Sequence, residues 1–316
     1  MTLLLSESDV HQLVTMQDAI KAVEEFFSHK EIDAVSSPRT RSFTEGSVLH
    51  VMHASHPYQG RAGVKVYLGT RHGAKFLFLL YDLKDGTLLA AMGADILGRY
   101  RTGAASGVAT KHLSGLKSFR LAIAGSGSQA ATQVEALVRI ANIESVSVWS
   151  PTKASRERFA QSVTEELGVE CNASESLAEA FKRCDVATTI TTASRPFVTD
   201  QLLGGVMHVN ACGSNRESRA ELSPEAVSIF STVCVDDLVQ AKIESGDLIQ
   251  AADAGAFKWE SALELGQVVR NGFNRKGKTL FKSNGIAGED VALASLLYDR
   301  AIRKGEYEAS FDFSTR

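Results

Sequence analysis

The sequence has little of what marks secreted, membrane-spanning or nucleic-acid-binding proteins. Its 316 residues include only four cysteines, which form no Cys-x-x-Cys pair, so we expect reduced core thiols rather than disulfides or a zinc site. No apolar run approaches the length of a membrane span or of a secretory signal. Lysine and arginine number 34 against 37 acidic residues, a balance that argues against a nucleic-acid-binding surface. These absences predict a soluble cytoplasmic protein with no nucleic-acid or membrane partner.

Three closely spaced histidines could suggest a metal site. They are His50, His53 and His56. On a strand, a spacing of three places neighbours on opposite faces, and the sequence offers no evident fourth ligand. We therefore predict no metal and expect one of them, His53, to line a substrate pocket.

Two different residue patterns along the chain predict two kinds of β-sheet. Residues 39–92 consist of strand-like segments, and Asp85-Gly86 is typical of a hairpin turn between antiparallel strands. From about residue 118 onward, apolar strands and helical segments alternate, which is typical of βαβ units on a parallel sheet. Only five prolines occur in the whole chain, so we expect no proline-rich linker between these two parts. We therefore predict an α/β protein whose second part contains a parallel sheet.

The clearest chemical motif is a glycine-rich loop that matches the pattern GxGxxA. It consists of Gly125, Ser126, Gly127, Ser128, Gln129 and Ala130. The loop follows a predicted strand and opens a predicted helix, which is the context that dinucleotide binding requires. The first glycine permits a tight turn, the second lets backbone N–H groups approach a pyrophosphate, and the alanine lets the helix pack closely. The motif therefore predicts a Rossmann dinucleotide-binding domain.

The end of the second strand of this unit indicates which dinucleotide binds. NAD sites usually carry Asp or Glu there, to accept hydrogen bonds from the ribose 2′-OH. This chain instead carries hydroxyls and cations, which suit a 2′-phosphate: Ser150, Thr152, Lys153 and Arg156. We predict NADP(H), with NAD(H) as the alternative because some enzymes accept both. Thr191 and Thr192 follow a later strand, at the sheet edge where such folds bind ligands, and we expect them to contact the cofactor.

Four segments together resemble the ornithine cyclodeaminase/μ-crystallin family. They are Gly63–Val66, Arg101–Lys111, the glycine-rich loop, and residues 279–290, which read TLFKSNGIAGED. The resemblance implies a Rossmann NAD(P)-binding domain over residues 116–290. It also implies an α+β substrate and dimerisation domain, built from residues 1–115 with 291–316, and a homodimer formed through the N-terminal sheets. The implied substrates are small amino or imino acids.

The resemblance also implies roles for individual residues. Arg39, Lys65 and Arg101 match residues that bind the substrate carboxylate, and Lys65 is also expected to donate a proton. An arginine fork can hold a carboxylate bidentately, and a lysine beside two arginines should have a depressed pKa. Gly213, Lys282 and Ser283 are expected near the cofactor, the last two by the nicotinamide.

Departures from the family pattern narrow the predicted reaction. Asn215 stands where cyclodeaminases carry an aspartate, and an amide cannot accept a proton at neutral pH. Gly93 and Gly98 replace a larger Asp and Thr, which predicts a more open or more mobile substrate pocket. We predict an NADP(H)-dependent oxidoreductase that reduces a cyclic 2-imino acid, Δ1-pyrroline- or Δ1-piperideine-2-carboxylate, with Lys65 and Asn215 as its catalytic residues. The alternatives are an ornithine cyclodeaminase, an amino-acid dehydrogenase such as alanine dehydrogenase, or a non-catalytic NADP(H)-binding protein.

Overall fold

The computed structural model describes residues 2–305, 307 and 309–311. They form two units: one contains the described residues up to Arg101 and those from Ile286 onward, and the other runs from Thr102 to Gly285. Within the described residues, no helix combines the length and the apolar character needed to span a bilayer.

Strands and helices follow one another through both units. The strands are β1 (Thr2–Leu5), β2 (Val35–Ser36), β3 (Thr40–Thr44), β4 (Ser47–His56), β5 (Arg61–Thr70), β6 (Gly73–Asp82), β7 (Leu88–Gly93), β8 (Ser118–Ala124), β9 (Asn142–Trp149), β10 (Cys171–Ala173), β11 (Val186–Thr189), β12 (His208–Ala211), β13 (Thr232–Val235), β14 (Leu263–Glu264), β15 (Thr279–Lys282) and β16 (Ala309–Phe311). The α-helices are α1 (Glu7–Leu13), α2 (Met16–His29), α3 (Asp95–Leu113), α4 (Ala130–Ile140), α5 (Lys153–Leu167), α6 (Leu177–Phe181), α7 (Pro224–Ser228), α8 (Leu238–Glu244), α9 (Gly246–Asp253), α10 (Leu265–Asn271) and α11 (Ala287–Lys304).

A mixed sheet organises the first unit. Its strand order is β16-β1-β7-β6-β5-β4-β2, and β3 pairs with β4. Strands β4 to β7 are antiparallel neighbours, and Asp85-Gly86 lies in the turn between the last two, as the sequence predicted. The alternation of side chains along these strands therefore gives the sheet two distinct faces.

Helix α11 covers one face of this sheet, where it packs against β4, β5 and α2. Helix α2 begins after Thr15, whose side chain accepts a hydrogen bond from Asp18 N at 3.3 Å. It buries Phe26, as its apolar spacing predicts. A Cβ atom built on Gly288 would lie 2.2 Å from the ring of Phe26. The glycine therefore lets the first turn of α11 lie directly against α2.

The opposite face of the sheet is apolar and exposed. Leu49 of β4 lies opposite Leu68 of β5, and Val66 of β5 lies opposite Leu77 of β6. The three leucines are 38%, 46% and 47% exposed. An apolar patch of this kind is typical of a surface that another protein covers.

A parallel sheet organises the second unit, in the order β10-β9-β8-β11-β12-β15-β13-β14. The strand order reverses at β8, between β9 and β11, and open α/β sheets bind ligands at such a switch point. Helix α3, rich in small residues, packs closely on α4: a Cβ atom on Gly103 would lie 2.3 Å from the carbonyl oxygen of Thr132. The predicted α/β fold with a Rossmann unit is confirmed.

Helix α3 begins at Asp95. Its first N–H groups are capped by a distant carboxylate, because Glu7 accepts hydrogen bonds from Asp95 N at 2.8 Å and Ile96 N at 3.0 Å. The same side chain fills the space beside Gly93, where a Cβ atom would lie 2.8 Å from it. The expectation that Gly93 opens the substrate pocket is therefore wrong, since Glu7 occupies the room it leaves.

Candidate active site

In the first unit, Lys65 and Arg101 both bind the carboxylate of Asp290. Lys65 lies on β5, on the face that α11 covers, and is 2% exposed. Its Nζ lies 2.7 and 2.8 Å from the two carboxylate oxygens of Asp290, in the first turn of α11. The Nε of Arg101 donates to Oδ1 of the same carboxylate at 3.2 Å. Residues from β5, α3 and α11 thus meet at one buried point.

A second acid and a third cation belong to the same cluster. Glu289 accepts a hydrogen bond from Arg101 Nη1 at 3.0 Å, and both it and Asp290 are fully buried. Arg39, between β2 and β3, is 6% exposed, and its charge acts on Lys65 by lowering the pKa of that ammonium. We call these five residues the cation cluster: Arg39, Lys65, Arg101, Glu289 and Asp290. The sequence predicted its three cations; the two acids stood unassigned in the family segment.

The cluster sets the proton affinity of Lys65. Burial is the largest influence and lowers its pKa to about 8; Asp290 opposes the shift, while Arg101 and Arg39 reinforce it. An ammonium with this pKa is mostly charged at neutral pH and gives up its proton more readily than an exposed lysine. The two arginines were the predicted cause, but burial contributes more.

The structure does not bring His53 to this cluster. On β4, Met52 pairs with Lys65 and therefore shares its face, whereas His53 pairs with Val64 and points to the opposite, exposed face. The sequence spacing showed that the three histidines alternate between faces, but it could not show which face the helices cover.

The glycine-rich loop in the second unit has the shape that a dinucleotide needs. Gly125 has a φ of +120°, and a Cβ atom there would lie 2.4 Å from the carbonyl oxygen of Ile190. Gly127 and Ser128 are exposed, and nothing lies within 4 Å of a Cβ atom on Gly127, so backbone N–H groups are accessible. Helix α4 starts at Ala130, which is fully buried. The loop therefore fits a pyrophosphate at a helix N-terminus.

Hydroxyl and guanidinium groups gather at the end of β9. The Ser126 hydroxyl donates a hydrogen bond to that of Ser150 at 2.8 Å, which ties the loop to the strand end. Arg156 Nη1 donates to the carbonyl oxygen of Ser150 at 3.1 Å, so its guanidinium lies over this end. Thr152 and Lys153 are exposed, and Lys153 lies 3.7 Å from Glu157. These are the four residues that the sequence proposed for a 2′-phosphate.

A buried carboxylate, Glu221, holds two other predicted cofactor residues. It accepts hydrogen bonds from the N–H and hydroxyl of Thr191, at 2.8 and 2.7 Å, and from the N–H of Gly213 at 2.8 Å. A Cβ atom on Gly213 would lie 2.2 Å from the Glu221 carboxylate. Thr192, in contrast, is exposed. Glu221 thus joins the ends of β11 and β12, a role that sequence reasoning missed.

Lys282 lies in the protein interior, where it contacts protein groups on several sides. It is fully buried, its Nζ lies 3.1 Å from Asp247, and it donates to the Ser214 carbonyl oxygen at 2.6 Å. Burial lowers its pKa, but Asp247 and Glu221 more than offset this and leave the pKa raised. Lys282 therefore fixes the backbone next to Asn215, which is partly exposed.

Asp236 organises the neighbouring segment. Its carboxylate accepts hydrogen bonds from the hydroxyl of Ser283 at 3.4 Å and from the N–H groups of Asn284 and Gly285 at 2.6 and 2.7 Å. Asp237 instead caps α8 by accepting from Gln240 N at 2.8 Å. Ser283 is 3% exposed, and its hydroxyl contacts Asp236 in the protein interior.

Comparisons with known proteins agree with this architecture. The family model described as the ornithine cyclodeaminase/mu-crystallin family matches residues 1–305. A Δ1-pyrroline-2-carboxylate reductase from Bacillus cereus is 31% identical over 96% of this chain and 98% of its own length.

Two solved structures share the whole fold. That of Thermococcus litoralis Δ1-pyrroline-2-carboxylate reductase, in complex with NADH and L-proline, has a TM-score of 0.92 and 31% identity, covering 98% of this chain and all of the other. An archaeal alanine dehydrogenase dimer with bound NAD has a TM-score of 0.90 and 30% identity, covering 99% of each chain. The chain belongs to the ornithine cyclodeaminase/mu-crystallin family.

Proposed function

We propose that this protein reduces a cyclic 2-imino acid, Δ1-pyrroline- or Δ1-piperideine-2-carboxylate, to the cyclic amino acid with NADPH. At the coarser level, the protein is an NAD(P)-dependent oxidoreductase that acts on amino or imino acids. The observation that carries the finer proposal is the buried cation cluster, in which a lysine with a lowered pKa lies beside two arginines. A 2-imino acid offers a carboxylate for the arginines and a nitrogen for the lysine's proton.

The charges of the cation cluster suit a substrate with one carboxylate. Three cations face two buried acids, which leaves one positive charge. Arg39 and Arg101 would fix the carboxylate, because a guanidinium binds it in a defined plane. A substrate held by this group keeps its C2 and nitrogen at a constant distance from Lys65 Nζ.

Protonation at the imine nitrogen is the step that the chain itself performs. A bound dihydronicotinamide supplies the hydride that reaches C2 of the imine. Lys65 gives one proton to the nitrogen, so the C=N bond becomes CH–NH, and the neutral lysine regains a proton from solvent. At the family position of Asn215, an amide can hydrogen-bond an imine nitrogen but cannot accept its proton. This chemistry favours reduction over cyclodeamination, which needs a base at that position.

The preference for NADP over NAD is supported by the end of β9. Residues 148–156 contain no acid that would repel a 2′-phosphate, and Arg156 lies over the strand end at Ser150. The Thermococcus litoralis relative was solved with NADH, so NADH is compared with NADPH in the experiment below.

We also propose that the chain forms a homodimer through the exposed face of its mixed sheet. Leu49, Leu68 and Leu77 form an apolar patch there, together with Val66 of β5, which lies opposite Leu77 of β6. Burying such leucines against a second copy removes about 25 cal/mol of unfavourable free energy per Å² of apolar surface. The alanine dehydrogenase relative was solved as a dimer.

The proposal is tested by following NADPH absorbance with the purified protein and each imine. We expect oxidation of NADPH with at least one imine, slower oxidation of NADH, and a loss of about 10²-fold or more in Lys65→Ala. Arg61→Ala, on the same strand but ion-paired to Asp82, is the matched control and should keep most activity. No oxidation with either imine contradicts the proposal, and ammonia release from ornithine would instead indicate a cyclodeaminase.

A further inference from the structure

Two carboxylates open helix α11 at a place where their burial requires an explanation. Acidic side chains are common in the first turn of a helix because they interact with its dipole. Those residues are usually exposed, whereas Glu289 and Asp290 are both fully buried. Removing carboxylates from water is costly unless each is paired with a cation and well hydrogen-bonded. Their partners should therefore reveal what they do.

The two acids divide the cations between them in different ways. Asp290 receives Lys65 Nζ on both oxygens and Arg101 Nε on one of them, whereas Glu289 contacts Arg101 through Nη1. Lys65 has a long flexible stem with four rotatable bonds, and a two-oxygen contact limits where its Nζ can lie. Asp290 is thus the acid whose geometry determines the position of the ammonium.

Asp290 is also the main group that keeps a proton on Lys65. Burial, Arg101 and Arg39 all favour the neutral amine, and Asp290 is the largest influence in the other direction. Other titratable groups on this face of β4, β5 and β6 are His50, His56, Tyr67 and the ion pair of Arg61 with Asp82. Without the Asp290 charge, burial and the two arginines would lower the pKa of the lysine further.

We infer that Asp290 is a positioning residue of the reaction: it fixes Lys65 Nζ and keeps on it the proton that is delivered to the imine nitrogen. The inference rests on the proposed function for its catalytic meaning, but the pairing itself is a property of the free enzyme. Glu289 serves as the matched control, because it is equally buried, adjacent in sequence and bound to Arg101.

The first test titrates Lys65 directly by NMR in protein labelled with ¹³C at lysine Cε, with the signal identified by its loss in Lys65→Met. We expect a midpoint near pH 8 in the wild type. In Asp290→Asn the midpoint falls below pH 7, whereas in Glu289→Gln it stays near its wild-type value. An unchanged midpoint in Asp290→Asn, or an equal fall in Glu289→Gln, overturns the inference.

The second test compares pH profiles of kcat/KM for imine reduction. Between pH 6.5 and pH 8, we expect a fall of about twofold in the wild type and about tenfold in Asp290→Asn, because less of the lysine carries its proton. Glu289→Gln should raise KM through Arg101 and leave the profile unshifted. A uniform loss in Asp290→Asn at every pH would indicate a merely structural role.

Asp290→Glu keeps the test decisive if Asp290→Asn does not fold. This variant retains the charge but displaces Nζ by about one methylene, so the midpoint should stay near the wild-type value while kcat falls more than KM rises. Wild-type kcat in Asp290→Glu contradicts the positioning role. If the wild type reduces no imine but the Lys65 midpoint still depends on Asp290, the proposed function fails and the pairing stands.

Discussion

Replacing Lys282 by methionine should destabilise the second unit strongly, because this lysine neutralises buried acids. Its Nζ lies 3.1 Å from Asp247, both side chains are fully buried, and the Glu221 charge also acts on it. Methionine fills a similar volume but leaves the carboxylates without their cation. Breaking a buried ion pair by removing one partner costs about 3–5 kcal/mol. For a unit of this size, that corresponds to a fall in Tm of roughly 6–20 °C.

The loss of folding stability in Lys282→Met should depend on pH in a defined direction. Burial and Asp247 raise the pKa of Glu221, and removing the nearby ammonium raises it further. A carboxyl whose pKa is higher in the folded than in the unfolded protein stabilises the fold only while it is protonated, so that stability is lost as pH rises. Lys282→Met should therefore destabilise less at pH 5 than at pH 8.

Lys278→Met is the matched control for this experiment. Lys278 lies just before the same strand and also donates to backbone carbonyls, at 2.9 Å to Leu203 and Gly204. It is partly exposed, and none of the described residues forms a salt bridge with it. Lys278→Met should lower the free energy of unfolding by about 1 kcal/mol. Thermal unfolding followed by circular dichroism, together with NADPH titration, separates the outcomes. Equal Tm values for the two variants, with a loss of NADPH affinity confined to Lys282→Met, would show instead that Lys282 contacts the cofactor.

Three further predictions concern the cofactor loop, cofactor choice and assembly. Gly125→Ala should destabilise the fold by about 1–3 kcal/mol because its Cβ meets Ile190 in a left-handed turn, whereas Gly127→Ala should unfold like the wild type and still lose NADPH affinity; equal Tm losses would contradict this. Arg156→Gln should weaken NADPH binding about tenfold or more and leave NADH within about twofold, measured by fluorescence titration; parallel losses would remove its role with a 2′-phosphate. Leu68→Asp should convert a dimer to a monomer in light scattering after size exclusion, and an unchanged mass would place the dimer interface elsewhere.

Much of the second unit could be predicted because its signals are local. Strands and helices alternate from β8 onward, and the glycine-rich loop joins strand β8 to helix α4, as its motif requires. The start of α3 could not be predicted, because the group that caps it, Glu7, is 88 residues away. Propensity and spacing report nearest neighbours along the chain, and that contact exists only in the folded protein.

The residues of the candidate site also differ in how far the sequence predicts them. The family segments pointed to Lys65 and Arg101, but no local pattern distinguishes a buried acid such as Glu221 from an exposed one. Its partners lie 30 and 26 residues away in the chain, at Thr191 and Asp247. His53 shows the converse: strand parity was correctly judged, yet the covered face depends on helix α11, which comes from the far end of the sequence. Tertiary burial, not local chemistry, decides these cases.

If the cation cluster recognises the carboxylate of a cyclic imine, a substrate without that carboxylate should react far more slowly. One ratio measures this difference. It is the ratio of kcat/KM with NADPH for Δ1-pyrroline-2-carboxylate to that for Δ1-pyrroline, the same ring without its carboxylate. A site built around a charged group discriminates strongly against an analogue that lacks it, so we predict a ratio of about 10³ or more, falling at least about tenfold in Arg101→Met. A ratio near one, or a ratio unchanged in Arg101→Met, would show that the cation cluster does not bind the substrate carboxylate.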